Sequence, residues 1–207
     1  KSVTVNKVIG MESPFYYRNK LQYPVGKNKN GEPIMGVFAN RTHEIIPVEN
    51  CLIQNRKAEM VAKRVFEFIK NNEISIYDEN RRTGVIRHII VKIGVKTNEI
   101  MCIVVTNESK FEREQELVEA IAGEFHNVKT IIKNINNKNT NVILGQKNVV
   151  LYGDGFIYDK LGEYTFKISA NSFYQTNPIQ TETLYNRSIE FAKLNKEDVL
   201  CDLYCGI

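Results

Sequence analysis

Apolar residues recur at helical or strand spacing along most of the chain, and together they predict an α+β domain. Helical spacing of apolar residues predicts one amphipathic helix over 58–69 and another over 118–125. Strong alternation over 85–93 and a dense apolar run over 100–106 predict two strands joined by a turn. Shorter strands are predicted at 21–25, 34–38, 130–135, 141–144, 149–152 and 164–169. We therefore expect a mixed or antiparallel sheet with helices over residues 1–170.

The last forty residues have a different pattern. Asn177 is a predicted helix N-cap, Pro178 suits the first helical position, and Gln180 can reach back as in a capping box. Apolar spacing then predicts a buried helix face made of Leu184, Tyr185, Ser188, Phe191 and Ala192. The run 198–206 ends at a glycine, which is typical of a buried parallel strand entering a ligand loop. Residues 171–207 are therefore predicted to begin a Rossmann-like domain that continues beyond this sequence.

Composition limits the classes of protein to consider. The 207 residues are 43% hydrophobic and 25% charged, as in ordinary globular proteins. Membrane association is not expected, because no apolar stretch approaches the roughly 18 residues of a span. The four cysteines, Cys51, Cys102, Cys201 and Cys205, lack disulfide spacing, which favours reduced thiols in a cytoplasmic protein.

Positive charge is concentrated in the first half of the chain. Residues 1–100 carry 17 basic and 10 acidic side chains, whereas the remainder carries 11 and 14. This excess suits an anionic partner such as nucleic acid, and a plain solvated surface accounts for it equally well. The candidate phosphate contacts are Arg18, Lys20, Arg41, Arg81, Arg82 and Arg87. His88 lies within a predicted strand, so we expect a structural hydrogen-bonding role for it.

Two short motifs suggest a ligand site. In the segment 202–206, a glycine after the predicted strand lets backbone approach a ligand closely, although many buried strands end this way. In the segment 172–178, two aromatics and the Gln175 amide precede the helix cap. Aromatics can stack on an unstacked base and an amide can bond a polar edge, but core packing explains them equally well. The absence of a full Gly-x-Gly-x-x-Gly argues against a dehydrogenase.

Taken together, segments 169–178 and 202–207 resemble the bacterial RNA uracil-C5 methyltransferases. These S-adenosylmethionine-dependent enzymes make 5-methyluridine in 23S rRNA and in tRNA. Further matches to the family lie at 15–20, 43–51, 87–88 and 139–145. The resemblance spans nearly the whole chain and is closest to the 23S rRNA branch. It implies an internal segment of a cytoplasmic enzyme with S-adenosylmethionine as cofactor and 23S rRNA as partner.

The resemblance also implies roles for individual residues of the cofactor site. Gln175 matches the glutamine that contacts S-adenosylmethionine, and Tyr204 matches an aromatic residue that lines the cofactor site. Asp202, Cys205 and Gly206 belong to the same loop as Tyr204 by motif.

Cys51 is the one residue for which the resemblance implies a metal. It matches the last of four cysteines that hold a [4Fe–4S] cluster in many members of the family. A cluster needs about four thiolates, and no other cysteine of this sequence matches a ligand. The other three ligands are therefore expected before Lys1, in the intact protein. Without the family, Cys51 is equally consistent with a small buried hydrophobic residue.

Family chemistry predicts that the catalytic residues lie outside this chain. Uracil C5 is a poor nucleophile, so a cysteine thiolate adds to C6, the resulting enolate attacks the methyl group through C5, and a base removes the C5 proton. The resemblance places that cysteine and base beyond Ile207, so the chain alone is predicted to be inactive. The alternatives are a tRNA-directed relative, a non-catalytic basic RNA-binding module and a nicotinamide-dependent enzyme.

Overall fold

The computed structural model describes residues 3–203, which form a seven-stranded sheet, a two-stranded hairpin and three helices. The strands are β1 (Lys20–Lys27), β2 (Pro33–Phe38), β3 (Ile45–Pro47), β4 (Ile86–Ile93), β5 (Ile100–Thr106), β6 (Val128–Ile135), β7 (Lys147–Gly153), β8 (Phe156–Leu161) and β9 (Tyr164–Ser169). The helices are α1 (Arg56–Asn71), α2 (Glu114–Glu124) and α3 (Pro178–Ala192). The predicted α+β class is confirmed.

The large sheet is mixed, with the order β3-β2-β1-β4-β5-β6-β7. Neighbouring strands are antiparallel except β5 and β6, which run parallel because α2 carries the chain back between them. The predicted hairpin of β4 and β5 pairs Ile93 with Ile100 beside its turn and Ile86 with Thr106 at its far end. The sheet thus has its most apolar strands at its centre.

Helices α1 and α2 cover one face of this sheet. Helix α1 forms where the sequence predicted it, and its N-cap Asn55 accepts a hydrogen bond from the backbone N–H of Lys57 at 2.9 Å. Its apolar stripe includes Val61, Val65 and Ile69, which have no exposed surface and pack with the sheet in one core cluster.

The hairpin of β8 and β9 covers the opposite face. Ile157 of β8 and Ile168 of β9 pack with Ile90 of β4 and Ile103 of β5 in a second core cluster. Every residue of β4 and β5 is buried because these strands are covered on both faces. The polar residues of β4, Arg87, His88 and Lys92, are therefore largely shielded from bulk water.

Two strand predictions in the second half differ from the structure. Residues 141–144 are a loop, because the side-chain amide of Asn136 donates to the carbonyls of Val142 and Ile143 (2.6 and 2.9 Å) and thereby occupies groups that a strand ladder would use. Strand β8 was not predicted, because its Tyr-Asp-Lys centre interrupts the apolar alternation. Asp159 of this strand is nevertheless fully buried.

The predictions for the last forty residues are confirmed only at the start of α3. The face predicted to be buried is exposed, with Leu184 59% and Phe191 73% accessible, because no described residue covers it. The predicted parallel strand is absent over 198–203, where Val199 is 96% exposed and no described strand lies alongside. Burying either segment therefore needs a covering surface that residues 3–203 do not supply.

Two further expectations concern the described part of the chain. No helix within residues 3–203 is both long enough and apolar enough to cross a membrane. The cysteines described there, Cys51, Cys102 and Cys201, are free thiols. Cys205 lies outside the described residues.

Candidate functional site

The loop between β9 and α3, residues 170–177, is fixed to the central sheet by a lysine. Lys92 of β4 is buried, and its ammonium group donates to the carbonyls of Ser169 and Ser172, both at 2.9 Å. Burial, followed by the charge of nearby Lys20, lowers the pKa of Lys92 to about 8. Lys92 therefore holds the beginning of this loop against the face of the sheet that the β8–β9 hairpin covers.

Asn19, directly before β1, fastens the end of the same loop. Its side-chain amide donates to the carbonyl of Gln175 at 2.8 Å, and its own backbone N–H donates to the carbonyl of Thr176 at 3.0 Å. Asn19 is only 3% exposed, so these bonds are shielded from water. The backbone of Gln175 is thus held while its side chain stays exposed.

The two aromatics of the loop have different environments. Tyr174 packs against Phe166 with ring centroids 5.8 Å apart, and its hydroxyl donates to the buried Asp159 carboxylate at 3.3 Å. Burial, followed by the charge of Asp159, raises the pKa of Tyr174. Phe173 is 73% exposed. Tyr174 is therefore a packing residue, whereas the ring of Phe173 remains accessible to solvent.

Helix α3 begins as predicted, with one difference. The Asn177 side chain accepts from the backbone N–H of Gln180 at 3.1 Å, and Pro178 occupies the first turn. Gln180 does not complete a capping box. Its side-chain amide donates instead to the carbonyl of Ile9 at 2.8 Å, which ties the N-terminal segment to the helix.

A cavity of about 950 Å³ lies between residues 6–9 and the start of α3. Gln175 lines it together with the capped first turn of the helix. Two cationic side chains also line it, Lys7 and Arg187, the latter paired with Glu190 at 2.5 Å. The wall thus combines amides, cations and the exposed apolar Leu184, a mixture that suits a polar ligand with apolar parts.

Of the predicted cofactor residues, the structure places only Gln175 at this cavity. Asp202 is described and exposed, and it is not among the lining residues. Tyr204, Cys205 and Gly206 lie outside the described residues. The predicted juxtaposition of Gln175 with Tyr204 therefore stays a prediction.

Comparison with known proteins identifies the lineage of the chain. No family model matches it. A protein of Staphylococcus aureus named uncharacterized RNA methyltransferase is 46% identical over 98% of this chain and 45% of its own length. Proteins with the same descriptive name from Oceanobacillus iheyensis (43%) and Clostridium acetobutylicum (44%) match over 99% of the chain and 45% and 44% of their own lengths. The chain is a homologue of these bacterial proteins, each of which is named an uncharacterized RNA methyltransferase. It spans less than half the length of these curated relatives.

A solved structure matches the fold of this chain. It is the Pyrococcus abyssi tRNA (uracil-54, C5)-methyltransferase in complex with S-adenosyl-L-homocysteine, at a TM-score of 0.71 and 23% identity. The match covers 89% of this chain and 42% of that one. A uracil-C5 methyltransferase therefore contains the same α+β arrangement as this chain.

The described residues of this chain do not by themselves fit an iron–sulfur cluster. Cys51 is half-buried before α1, and its backbone N–H donates to the Glu59 carboxylate at 2.8 Å. No group of three or more His, Cys, Asp or Glu side chains within residues 3–203 is arranged to hold a metal ion. Cys102 lies fully buried inside β5. A cluster ligand role for Cys51 stays a prediction about the longer protein.

The candidate phosphate contacts of this chain fall into three groups by exposure. Arg41, Arg81 and Arg82 are exposed in loops. Arg87 is buried, where its guanidinium donates to the carbonyls of Asn136 and Lys138 at 2.7 and 3.1 Å, so its role in this fold is structural. Arg18 and Lys20 are half-buried near Asn19.

Sequence reasoning missed the residues that hold the Gln175 loop. Lys92 carried a usable signal, because a lysine inside an apolar alternating strand must either reach water or find buried acceptors. The sequence around Asn19 gave no sign of its contact with the loop, since its hydrogen-bond acceptor lies more than 150 residues away.

Proposed function

We propose that the protein containing this chain is an S-adenosylmethionine-dependent RNA uracil-C5 methyltransferase that makes 5-methyluridine in 23S rRNA. The observation that carries the proposal is the position of Gln175, whose backbone is held by Asn19 while its side chain lines the cavity beside α3. The homology to bacterial RNA methyltransferases and the fold shared with a uracil-C5 methyltransferase support it.

The residues around this cavity fit S-adenosylmethionine in their chemistry. Its volume of about 950 Å³ lies within the range of roughly 300–1,000 Å³ usual for small-molecule sites. The Gln175 amide can both donate and accept, which suits hydroxyl and amino groups, and the cations Lys7 and Arg187 suit a carboxylate. When bound, the cofactor supplies the methyl group.

Within this proposal, residues of this chain bind and orient the cofactor and the RNA. The residues that carry out the methyl transfer lie elsewhere in the protein. Gln175 binds the cofactor, while Asn19 and Lys92 position its loop. Residues 1–170 form a central RNA-contacting domain, and 171–207 begin the cofactor domain, with Tyr204, Asp202 and Gly206 completing the pocket. The cysteine that adds to uracil C6 and the base that removes the C5 proton come from the part of the protein outside this chain.

Methylation of defined RNA tests the proposal. The full-length protein is incubated with S-adenosylmethionine labelled in the methyl group and with a 23S rRNA transcript, and the nucleosides are analysed by mass spectrometry. We expect labelled 5-methyluridine from the full-length protein and none from residues 1–207 alone. Labelled 2′-O-methyl or N-methyl nucleosides, or no product, would overturn the proposed reaction.

A tRNA substrate is the second candidate, because the solved structure that shares this fold is named as a tRNA uracil-C5 methyltransferase. The same assay with unmodified tRNA transcripts separates the two. Product on tRNA but not on 23S rRNA would reassign the substrate and leave the reaction unchanged.

A further inference from the structure

A second cavity, of about 1090 Å³, lies between the β1–β2 hairpin and residues 75–88. Its lining includes Phe38 at the end of β2, His43, Tyr77, and His88 near the start of β4. We call it the His88 cavity. None of the residues assigned above to cofactor binding lines it.

His88 is buried without the hydrogen bonds expected of it. It is 6% exposed, and neither ring nitrogen has a hydrogen-bond partner among the described residues. The expectation of a structural hydrogen-bonding role is therefore wrong. Burial, followed by the charge of Arg87, lowers the pKa of His88 to about 4, so its ring is neutral at pH 7. A neutral imidazole offers one N–H donor and one acceptor, and both are unused here.

The groups around His88 suit a flat heterocycle. Phe38 stacks on His43 at 5.3 Å between ring centroids and meets His88 edge-on at 6.3 Å, while remaining 37% exposed. Accessible aromatic rings are surfaces on which proteins stack unpaired bases, and Phe38 provides one here.

The charges of the cavity favour a base with little phosphate over a polyphosphate. Besides Arg87, its charged lining residues include the cations Lys27, Lys29 and Arg81 and the carboxylates Glu44, Asp78 and Glu79. Glu79 is paired with His43 at 2.6 Å, and Asp78 caps its own turn through the backbone N–H groups of Asn80 and Arg81. Because the cationic and anionic side chains are nearly equal in number, a ligand with several negative charges gains little electrostatic attraction in this cavity.

The side chain of His88 lies on the same face of the sheet as the Gln175 loop. Side chains at alternate positions of a strand share a face, so those of His88, Ile90 and Lys92 lie together on β4. Ile90 packs in the cluster that includes Tyr174, and Lys92 holds the loop directly. Lys92 lies four residue steps along the strand from His88, about 13 Å at roughly 3.3 Å per residue. A single RNA strand of a few nucleotides spans that distance.

We propose that the His88 cavity binds an unpaired nucleobase of the RNA substrate, a few nucleotides from the target uridine, with His88 as the hydrogen-bonding group and Phe38 as the stacking ring. This inference rests on the proposed function, because it takes RNA as the ligand.

Imidazole NMR of the full-length protein tests the proposal without a mutation in the cavity. The chain has three histidines, of which His126 is exposed beyond α2 and serves as an internal reference. The probe is a single-stranded 12-nucleotide 23S rRNA segment containing the methylated uridine. Its addition is expected to shift the ring nitrogen signals of His88 and His43 and to leave those of His126 unchanged. A blunt RNA duplex of the same sequence is expected to leave all three unchanged.

The outcomes separate this proposal from the proposed function. Methylation of the probe with an unchanged His88 signal would overturn the cavity proposal and leave the enzyme assignment intact. An equal His88 shift with the duplex would exclude recognition of an unpaired base. Failure to bind or methylate RNA would overturn both.

A substitution gives the second measurement. His88→Phe removes the donor and acceptor while filling the space, and we expect it to raise the KM for RNA about tenfold with little change in kcat. His126→Gln is the matched control and is expected to behave as wild type. A His88→Phe protein that melts at or above the wild-type temperature and keeps the wild-type KM would show that the ring has no part in RNA binding.

Discussion

The side-chain amide of Asn19 donates to the backbone carbonyl of Gln175 at 2.8 Å, although the two residues are 156 positions apart. Asn19 precedes the first strand of the sheet, and Gln175 precedes the last helix. This bond and the neighbouring bond from the Asn19 N–H to the Thr176 carbonyl hold the end of the Gln175 loop beside the start of β1. The position of a residue assigned to cofactor binding therefore depends on the start of the chain.

Asn19→Ala is expected to weaken both folding and cofactor binding. Removing a buried donor leaves the Gln175 carbonyl unsatisfied, which costs about 1–3 kcal/mol of unfolding free energy. Release of the loop should also weaken S-adenosylmethionine binding by the full-length protein about tenfold, as measured by calorimetry. Asn136→Ala is the matched control, because Asn136 is equally buried and bonds the loop at Val142 and Ile143. A similar loss of cofactor affinity in both variants would contradict a specific role for Asn19.

Lys92 gives the unfolding free energy a distinct dependence on alkaline pH. Its pKa is about 8 in the folded protein and near 10.5 when unfolded, so between these values the unfolded chain binds more protons. The stability contributed at this residue should therefore rise by about 3 kcal/mol as the pH increases from 8 to 10.5. Urea unfolding of wild type and Lys92→Met across this range measures it, and the variant should lack the rise. Lys29→Met, at an exposed lysine, should retain it.

Local features of this fold could be predicted from sequence, and contacts between distant segments could not. Helix α1 and the β4–β5 hairpin depend on periodicity within one segment, and the Asn177 cap depends on spacing within four residues. The apolar residues of segment 141–144 are typical of a strand. The segment is nevertheless a loop, because the Asn136 side chain donates hydrogen bonds to the carbonyls of Val142 and Ile143. Gln175 was identified through a resemblance between motifs. Lys92 stands out locally as a lysine inside an apolar strand, but the acceptors of Lys92 and Asn19 lie in a distant segment and could not be predicted.

His88 is expected to destabilise the protein in mild acid. Its pKa falls from an ordinary value of 6.5 to about 4 on folding, so the unfolded chain binds more protons between these values. The stability contributed by the neutral buried ring is complete above pH 6.5 and decreases by about 3 kcal/mol as the pH falls to 4. The difference in unfolding free energy between wild type and His88→Phe should follow this curve, because shared carboxylates cancel. A difference independent of pH would mean that His88 is solvated in solution.

Gln175→Ala tests the cofactor site at the residue that lines it. Loss of one or two hydrogen bonds, at about 0.5–1.5 kcal/mol each, should weaken S-adenosylmethionine binding by roughly two- to 150-fold. RNA affinity should be unchanged, because the side chain is exposed at the cavity and holds none of the loop contacts described above. Gln115→Ala, on the exposed face of α2, is the control. Equal cofactor affinity in both variants would remove Gln175 from the site.

The exposed apolar face of α3 provides the test of the proposed domain boundary. Ile189 is 62% exposed in this chain, beside Tyr185, which the sequence predicted to be buried. If 171–207 begins a larger domain, the rest of that domain covers this face in the full-length protein. Ile189→Lys should then cost about 2–4 kcal/mol there, because it places a charge in packed surroundings, and less than about 0.5 kcal/mol in residues 1–207 alone. Asn186→Lys, exposed on the same helix, controls for the added charge. Equal small effects of Ile189→Lys in both proteins would place the face in solvent and the boundary elsewhere.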